Sequence, residues 1–453
     1  PTTGGVTMAL SGLDIYKLLP RTNCKKCGQQ TCLAFAMQLA KKAVSLDKCP
    51  FVADEVRQKL EEASLPAIRE IGFGAADSRV TVGHETVLFR HEEKFHNPTV
   101  LGVILEEGMS RGDLEKTVAE VERLRFERVG QVLAVEAVAL RQTSESAEKY
   151  ADFVKAVVEK SSRAVILMPR SAAALKAALA SAAVRMPLVS AAGPAAADAL
   201  VPLCKEAGLP LTLRAEDLAS FAAGTQAWAG QGFKDIVLEL PGAGVAERLW
   251  LLTQIRRLAI KKGERRLGYP VLAVIEEDDP VAAVREASAY IAKYAGIVLV
   301  KTRRPEYVLP LLTLRQNIFT DPQKPLQVEP RVYQVGAADR DAPVLITTNF
   351  SLTYYTVLGE IEASRVPSHL ICVDTEGMSV LTAWAAEKFT PERIADSLSR
   401  FHLGDIVAHK DLIIPGYVAM MSGELEDKSG WTIHVGPREA SALSSYLKNF
   451  CRS

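Results

Sequence analysis

From residue 98 to about 318 the chain alternates between short, wholly apolar runs and longer stretches of mixed polarity. The apolar runs fall at 100–105, 132–138, 164–168, 188–191, 209–213, 236–240, 271–275 and 297–300. Between them, apolar positions recur at helical spacing, for example over 113–123, 147–160, 172–183 and 245–261. A run that is apolar throughout, without alternation, is the pattern of a strand covered on both faces. Eight such strands alternating with helices predict a (β/α)8 TIM barrel over 98–320.

The flanks follow other patterns. Residues 321–343 carry Pro322, Pro325, Pro330 and Pro343 and read as a linker. Beyond it, apolar runs at 344–346, 370–373, 412–414 and 431–435 predict a small doubly wound sheet over 344–453. A helix over 380–388 is expected, and Thr390-Pro391-Glu392 caps another. Ahead of the barrel, 80–82 and 86–89 flank Gly83-His84-Glu85 and predict a hairpin within a connecting segment, 66–97. Residues 8–65 form a further module: Ser11 caps a short helix over 12–19, an amphipathic helix follows Cys32, and a charged helix spans 53–63. The fold class expected is thus multidomain α/β.

Charge and length narrow the partners. Lys plus Arg and Asp plus Glu each number 54 among 453 residues, which speaks against nucleic acid. No apolar run is long enough to cross a membrane. Residues 1–7 precede Met8, no secretory signal follows, and clustered reduced cysteines indicate a cytoplasmic, reducing compartment.

Four of the seven cysteines, Cys24, Cys27, Cys32 and Cys49, lie in one window with spacing C-x2-C-x4-C-x16-C. Thiolates this close converge when their loop wraps a metal centre. Gly28 permits the tight turn, and Pro50 stops the chain after the last ligand. Iron in a 4Fe-4S cluster and tetrahedral zinc both suit such a set. Zinc modules usually bring two matched C-x2-C knuckles, whereas the distal half here has one cysteine, so the cluster is favoured. Lys25, Lys26, Lys41, Lys42 and Lys48 ring the loop as a solvated rim. Cys204, Cys372 and Cys451 read as ordinary thiols. His91 and His96 flank Glu92 and Glu93, and a polar surface stretch is favoured there over a metal site.

Two sets of strand ends are candidates for further chemistry. The barrel strands end in Glu106, Glu107, Glu239 and the run Glu276 to Asp279, but Met168-Pro169-Arg170 and Ser190-Ala191-Ala192 supply no catalytic partner. These acidic loops are therefore expected to be solvated or to dock a protein, with no catalytic residue among them. After the C-terminal strands come small, hydroxylic or glycine-bearing loops on the edge where open α/β sheets bind ligands. From them Thr347, Thr348, Asn349, Ser351, Thr353, Asp374, Gly377, Met378, Ser379, Val380, Pro415, Gly416, Ala419, Met420 and Gly436 are the candidate contacts to a large flat ligand. Neither a G-x-G-x-x-G fingerprint nor a P-loop is present, which disfavours nucleotides.

The motifs N-C-K-K-C-G-Q-Q-T-C-L-A-F-A, L-D-K-C-P, G-H-E-T-V-L-F-R-H-E, T-T-N-F-S-L-T-Y and D-T-E-G-M-S-V-L-T-A-W resemble the large (gamma) subunit family of the corrinoid iron–sulfur protein of the acetyl-CoA (Wood–Ljungdahl) pathway. The resemblance covers essentially the whole chain from Met8. It implies a 4Fe-4S cluster domain, a TIM barrel and a corrinoid-binding domain. It further implies a methyl carrier, in which Co(I) accepts a methyl group from methyltetrahydrofolate through a methyltransferase and passes it to acetyl-CoA synthase. The cluster restores Co(I) after oxidation to Co(II). The partners implied are a small barrel subunit in a heterodimer, the methyltransferase, and carbon monoxide dehydrogenase/acetyl-CoA synthase. No histidine sits in a D-x-H-x-x-G motif, so a base-off corrinoid without a strong lower protein ligand is expected. The alternatives are a self-contained pterin-dependent corrinoid methyltransferase and a zinc-bearing structural subunit.

Overall fold

A computed structural model describes residues 12–40, 44–53, 56–57, 60, 66–129, 131–242, 244–321 and 325–451. Ser11 and most of the expected helix over 53–63 lie outside the described residues. The chain divides into two compact units, Pro1–Phe126 with Leu133–Phe319, and Glu127–Val132 with Thr320–Ser453.

In the first unit, eight parallel strands close into a barrel. In chain order they are Val100–Glu106, Ala137–Arg141, Ala164–Met168, Leu188–Val189, Leu211–Arg214, Ile236–Glu239, Val271–Val274 and Ile297–Val300. The last pairs with the first, Ile297 opposite Val100. The apolar runs form strands because both faces are covered. Val103, Val138 and Leu211 pack outward on the helices, while Ile104, Ala139 and Ile166 fill the interior. Gly102 has to stay small, since a β-carbon there would come within 2.6 Å of Leu299.

Two elements differ from the sequence pattern. The second barrel strand is Ala137–Arg141, not 132–138: residues Gln131–Ala134 belong to a separate two-stranded ribbon, and Val132 is 53% exposed. Glu136 marks the start of the barrel strand: its backbone bonds Leu101 and Ala164, and its carboxylate accepts from the Leu101 amide at 3.1 Å and pairs with Arg315. The hairpin is also re-partnered. Val80–Val82 pairs with Ile71–Phe73 instead of with 86–89, and Ile71, Phe73 and Val82 join the interior residues of the barrel as a plug. Ile71 and Phe73 point the same way across a three-residue strand too short to register as a periodic signal.

The N-terminal module has its own small core. Helices Gly12–Leu18 and Cys32–Ala40 bury Ile15, Leu19, Phe35 and Ala36 with Val52.

The second unit is a five-stranded sheet ordered Val332–Val335, Ser368–Val373, Val344–Thr348, Asp411–Ile414, Thr432–Val435. All neighbours are parallel except the first edge strand, which pairs antiparallel to Ser368–Val373. That edge strand lies inside the stretch expected to be linker. Alternate residues face opposite layers. Val344, Ile346 and Leu412 meet helices Pro391–Arg400 and Ser422–Ser429, whereas Leu345, Leu370 and Ile413 meet Ser351–Ser364 and Leu443–Phe450. The sheet is thus doubly wound. Strand order reverses at Val344–Thr348, whose two neighbours lie on successive crossovers of opposite direction, and this creates a crevice at the carboxyl ends of Val344–Thr348 and Asp411–Ile414.

Candidate functional site

The four clustered cysteines sit on two short segments bracketing one helix. Cys24 and Cys27 lie on a loop, Cys32 starts helix Cys32–Ala40, and Cys49 follows the single turn Leu46–Lys48. The loop bends sharply because Asn23, Lys25 and Gly28 take left-handed φ values of 47°, 61° and 81°. These bends aim polar groups at sulfur. The Asn23 amide donates to Cys32 Sγ at 3.4 Å while its side-chain Oδ1 accepts from the Cys32 amide at 2.8 Å. The Lys26 amide, and then the Thr22 hydroxyl, hold the Cys24 thiol below its ordinary range. Cys32 and Cys49 are buried and Cys27 half-buried in the module's apolar core, whereas Cys24 is exposed. Among the described residues, no three His, Cys, Asp or Glu side chains are close enough to hold a single metal ion. Amide donors to sulfur, a depressed thiol and an apolar floor fit a thiolate-bound iron–sulfur cluster, whose cysteines each bind a different iron.

The second candidate lies at the switch point of the C-terminal sheet. A largely apolar cavity of about 260 Å³ opens there. Of the predicted contacts, Thr347, Thr353, Ser379, Val380, Pro415 and Gly436 line it. Among the described residues the buried hydroxyls of Thr347, which lines the cavity, and of Thr348 and Ser351, which do not, have no hydrogen-bond partner. Each such group costs about 1–3 kcal/mol while unsatisfied, so a polar ligand fringe that reached them would recover that energy. Orphaned hydroxyls beside an apolar slot suit a large flat ligand with a polar rim.

Other predicted contacts serve the frame instead. Asn349 is fully buried: its Oδ1 accepts from the Thr375 amide, the Thr375 hydroxyl and the Gly377 amide, all at 3.0 Å. Its amide donates to Gln327 at 3.2 Å and Asp374 at 3.3 Å. Asn349 thus ties down the 374–378 turn. The glycines also act differently from the sequence reading, which reserved their space for a ligand. A β-carbon on Gly377 would come 2.6 Å from Gln327, and its φ is +74°; one on Gly416 would come 2.5 Å from the Gly436 carbonyl. Both positions are small because the chain touches itself there. Met378 packs on the core, while Ala419 and Met420 lie outside the cavity lining, Met420 being 70% exposed. Tyr417 and Arg438 line the cavity and were missed, although Tyr417 directly follows the predicted Gly416 and Arg438 lies two residues after the predicted Gly436.

A family model described as CO dehydrogenase/acetyl-CoA synthase delta subunit matches residues 70–447, and one described as an Fe-S cluster matches residues 19–51. The corrinoid/iron-sulfur protein large subunit of Moorella thermoacetica is 42% identical over 97% of this chain and 99% of its own. The acetyl-CoA decarbonylase/synthase complex subunit gamma of Methanothermobacter thermautotrophicus is 36% identical over 97% of this chain and 99% of its own. The chain belongs to the corrinoid/iron-sulfur protein large-subunit family. A solved dihydropteroate synthase of Xanthomonas albilineans shares 16% identity with a TM-score of 0.40, covering 56% of this chain and 99% of its own, too slight a likeness to argue from.

In this corrinoid/iron-sulfur family member the barrel mouth is knitted together by its own charges. Arg141 bridges Glu106 at 3.2 Å and Glu276 at 2.6 Å, and Lys301 joins Asp278 at 2.8 Å. Burial alone would raise the Glu276 carboxyl, but Arg141 and Lys301 outweigh it and hold it below its ordinary value. Glu239 is fully buried and accepts from Ser190 at 2.7 Å, Thr212 at 2.8 Å and Arg214. Ser190, read from sequence as no catalytic partner, has a structural part in this network. Glu107 accepts from the Ser144 amide and hydroxyl and from the Thr143 amide. Glu239 and Glu107 are buried and tie strand ends together, whereas Glu276 to Asp279 are exposed, as expected of a solvated loop. His91 and His96 are likewise apart: His91 stacks on Phe89, and His96 meets His84 edge-on at 5.0 Å.

Proposed function

We propose that this chain is the corrinoid-carrying large subunit of a methyl-transfer complex of the acetyl-CoA pathway, a carrier and not an independent catalyst. The observation that carries the reading is the switch-point cavity lined by the unpartnered buried hydroxyl of Thr347, on a chain that also presents four clustered cysteines. When bound, a corrinoid supplies the cobalt centre that holds and releases a methyl group, and a 4Fe-4S cluster supplies single electrons that keep that centre reduced.

The chain's own residues divide the remaining work. Cys24, Cys27, Cys32 and Cys49 hold the cluster in the 8–65 module. Thr347, with Thr353 and Ser379 on the same lining, offers a hydroxyl to the corrinoid's polar fringe, and Ile346, Ile414 and Pro415 supply apolar walls; Thr348 and Ser351 lie at the same strand end, outside the lining. Asn349 keeps the 374–378 turn in place beside them. Among the described residues no histidine lines the cavity. In the same unit His369 bonds the Asp339 carbonyl at 2.9 Å, His409 the Ala342 carbonyl at 3.0 Å, and His434 Asp411 at 2.8 Å. The base-off corrinoid expected from the lack of a D-x-H-x-x-G histidine is part of this proposal. The barrel, its mouth closed by ion pairs, acts as scaffold and docking surface.

The partners follow from the same reading: a smaller subunit in a heterodimer, a methyltetrahydrofolate methyltransferase, and carbon monoxide dehydrogenase/acetyl-CoA synthase. Leu352, Leu381, Trp384 and Met420, on the segments after the sheet's carboxyl edge, are 41–70% exposed and suit an apolar partner surface. Among the described residues no helix is long and apolar enough to cross a membrane. A cytoplasmic site goes with thiolates that must stay reduced.

Counting cobalt, iron and zinc together in the corrinoid-reconstituted chain tests the proposal. About one cobalt and four iron atoms per chain are expected. Zinc in place of iron, or failure to retain cobalt, would refute it.

A further inference from the structure

Asn23 grips one cysteine from two sides. Its backbone amide donates to Cys32 Sγ at 3.4 Å, while its side-chain Oδ1 accepts from the Cys32 amide at 2.8 Å. Asn23 sits at φ +47°, in the left-handed region that asparagine tolerates better than most side chains. Its amide points at sulfur only while that conformation holds, and the Oδ1 bond to the start of helix Cys32–Ala40 holds it. Asn23 itself is exposed, so its replacement opens no cavity. The sulfur it meets lies in different surroundings. Cys32 is 7% exposed and belongs to the core of Ile15, Leu19 and Phe35. Cys24 also receives donors, from Lys26 and Thr22, but it faces solvent, where water can take their place. Among the described residues, Cys32 is the one buried cysteine of the four whose sulfur accepts an amide.

We infer that Asn23 is a positioning residue that raises the reduction potential of the cluster by aiming its amide at the Cys32 sulfur. The inference rests on the cluster reading above and adds to it a residue that is not a ligand. One-electron reduction places further negative charge on the cluster and its thiolates. An N–H dipole directed at sulfur therefore stabilises the reduced form more than the oxidised one. Around a buried sulfur little water screens that dipole, so the contact counts for more at Cys32 than at Cys24. Lys25 and Lys26 favour reduction too, but they are exposed and salt screens them. The step balances simply: an external reductant loses one electron, the oxidised cluster gains it, no bond forms or breaks, and no proton moves.

The test compares the full reconstituted chain with Asn23→Gly and Asn23→Ala variants, iron being counted first. Glycine takes a left-handed φ freely but has no Oδ1, so the loop keeps its course while the amide is released. Redox titration, followed by electron paramagnetic resonance of the reduced cluster, should show both variants harder to reduce. The equilibrium constant for reduction should fall about tenfold, which for one electron is about 59 mV. A residue that only helped the loop to fold would lower the iron content and leave the potential of the clusters that do form unchanged. A second measurement needs no variant. Asn23 is the one asparagine of residues 8–65. With asparagine isotopically labelled at its backbone nitrogen, pulsed resonance of the reduced native cluster should show a coupling to the label. A native chain without about four iron atoms would refute the cluster reading itself. With the iron present, a native potential in Asn23→Gly, or no coupling to the label in the native chain, would overturn the role of Asn23 alone.

Discussion

Replacing Asn349 separates a residue that builds the site from one that touches a ligand. Its side chain is fully buried and makes five hydrogen bonds, three of them accepted by Oδ1 from the 375–377 segment. Asn349→Ala strands the buried amides of Thr375 and Gly377 without an acceptor. At about 1–3 kcal/mol for each, the second unit should lose about 3 kcal/mol after some relaxation. For a unit of this size that lowers its melting transition by about 10 °C. Scanning calorimetry of the ligand-free chain checks this, because the loss is present before any cofactor binds. Corrinoid affinity should fall as well, by at least about tenfold, since a loosened 374–378 turn no longer defines the cavity's neighbour. Asn349→Asp keeps the acceptor but sets a carboxylate beside Asp374, so it should recover only part of the stability. An Asn349→Ala protein that melts like the native chain, yet fails to hold corrinoid, would refute the framework role and return Asn349 to the ligand contacts.

Four further outcomes are expected. Cys27→Ala should lose or degrade the four-iron signal in absorption and iron analysis while still binding corrinoid, and a full cluster signal would remove Cys27 from the ligand set. Gly377→Val places a β-branched residue at φ +74° against Gln327, at a cost of about 1–3 kcal/mol; corrinoid retention should drop with the iron content unchanged. Glu276 has a lowered folded pKa, so its contribution to stability is complete above the ordinary carboxylate value of 4.5 and is lost as pH falls towards the folded value; Glu276→Gln should therefore flatten the acid limb of the barrel's melting-temperature profile. The purified chain given methyltetrahydrofolate without a methyltransferase should transfer no methyl group, and turnover in a radiolabel assay would give the barrel a catalytic role.

The chain's linear pattern determined the features that depend on local order. Eight apolar runs specify a barrel because a strand covered on both faces has no polar side to alternate with. Val245–Lys261 and Ala164–Met168 match their expected bounds, since apolar spacing and flanking polar residues state them directly. Four cysteines within one loop–helix–loop are likewise written in the order of residues. Tertiary structure decided what depends on which segments meet. Ile71–Phe73 has three residues and a central glycine, too little for a periodic signal, and becomes a strand only because Val80–Val82 and the barrel interior cover it. Glu136, at the start of a barrel strand, pairs with Arg315, a partner 179 positions later. Strand order reverses at Val344–Thr348, and that reversal, invisible in the strands themselves, puts Thr347 and Pro415 on one cavity. Asn349 and Gly377 looked alike as candidate ligand contacts because both are small or polar residues beyond a strand. Only packing shows that one holds the turn by hydrogen bonds and the other leaves room for Gln327, since a side chain's role is set by its neighbours in space and not by its neighbours in the chain.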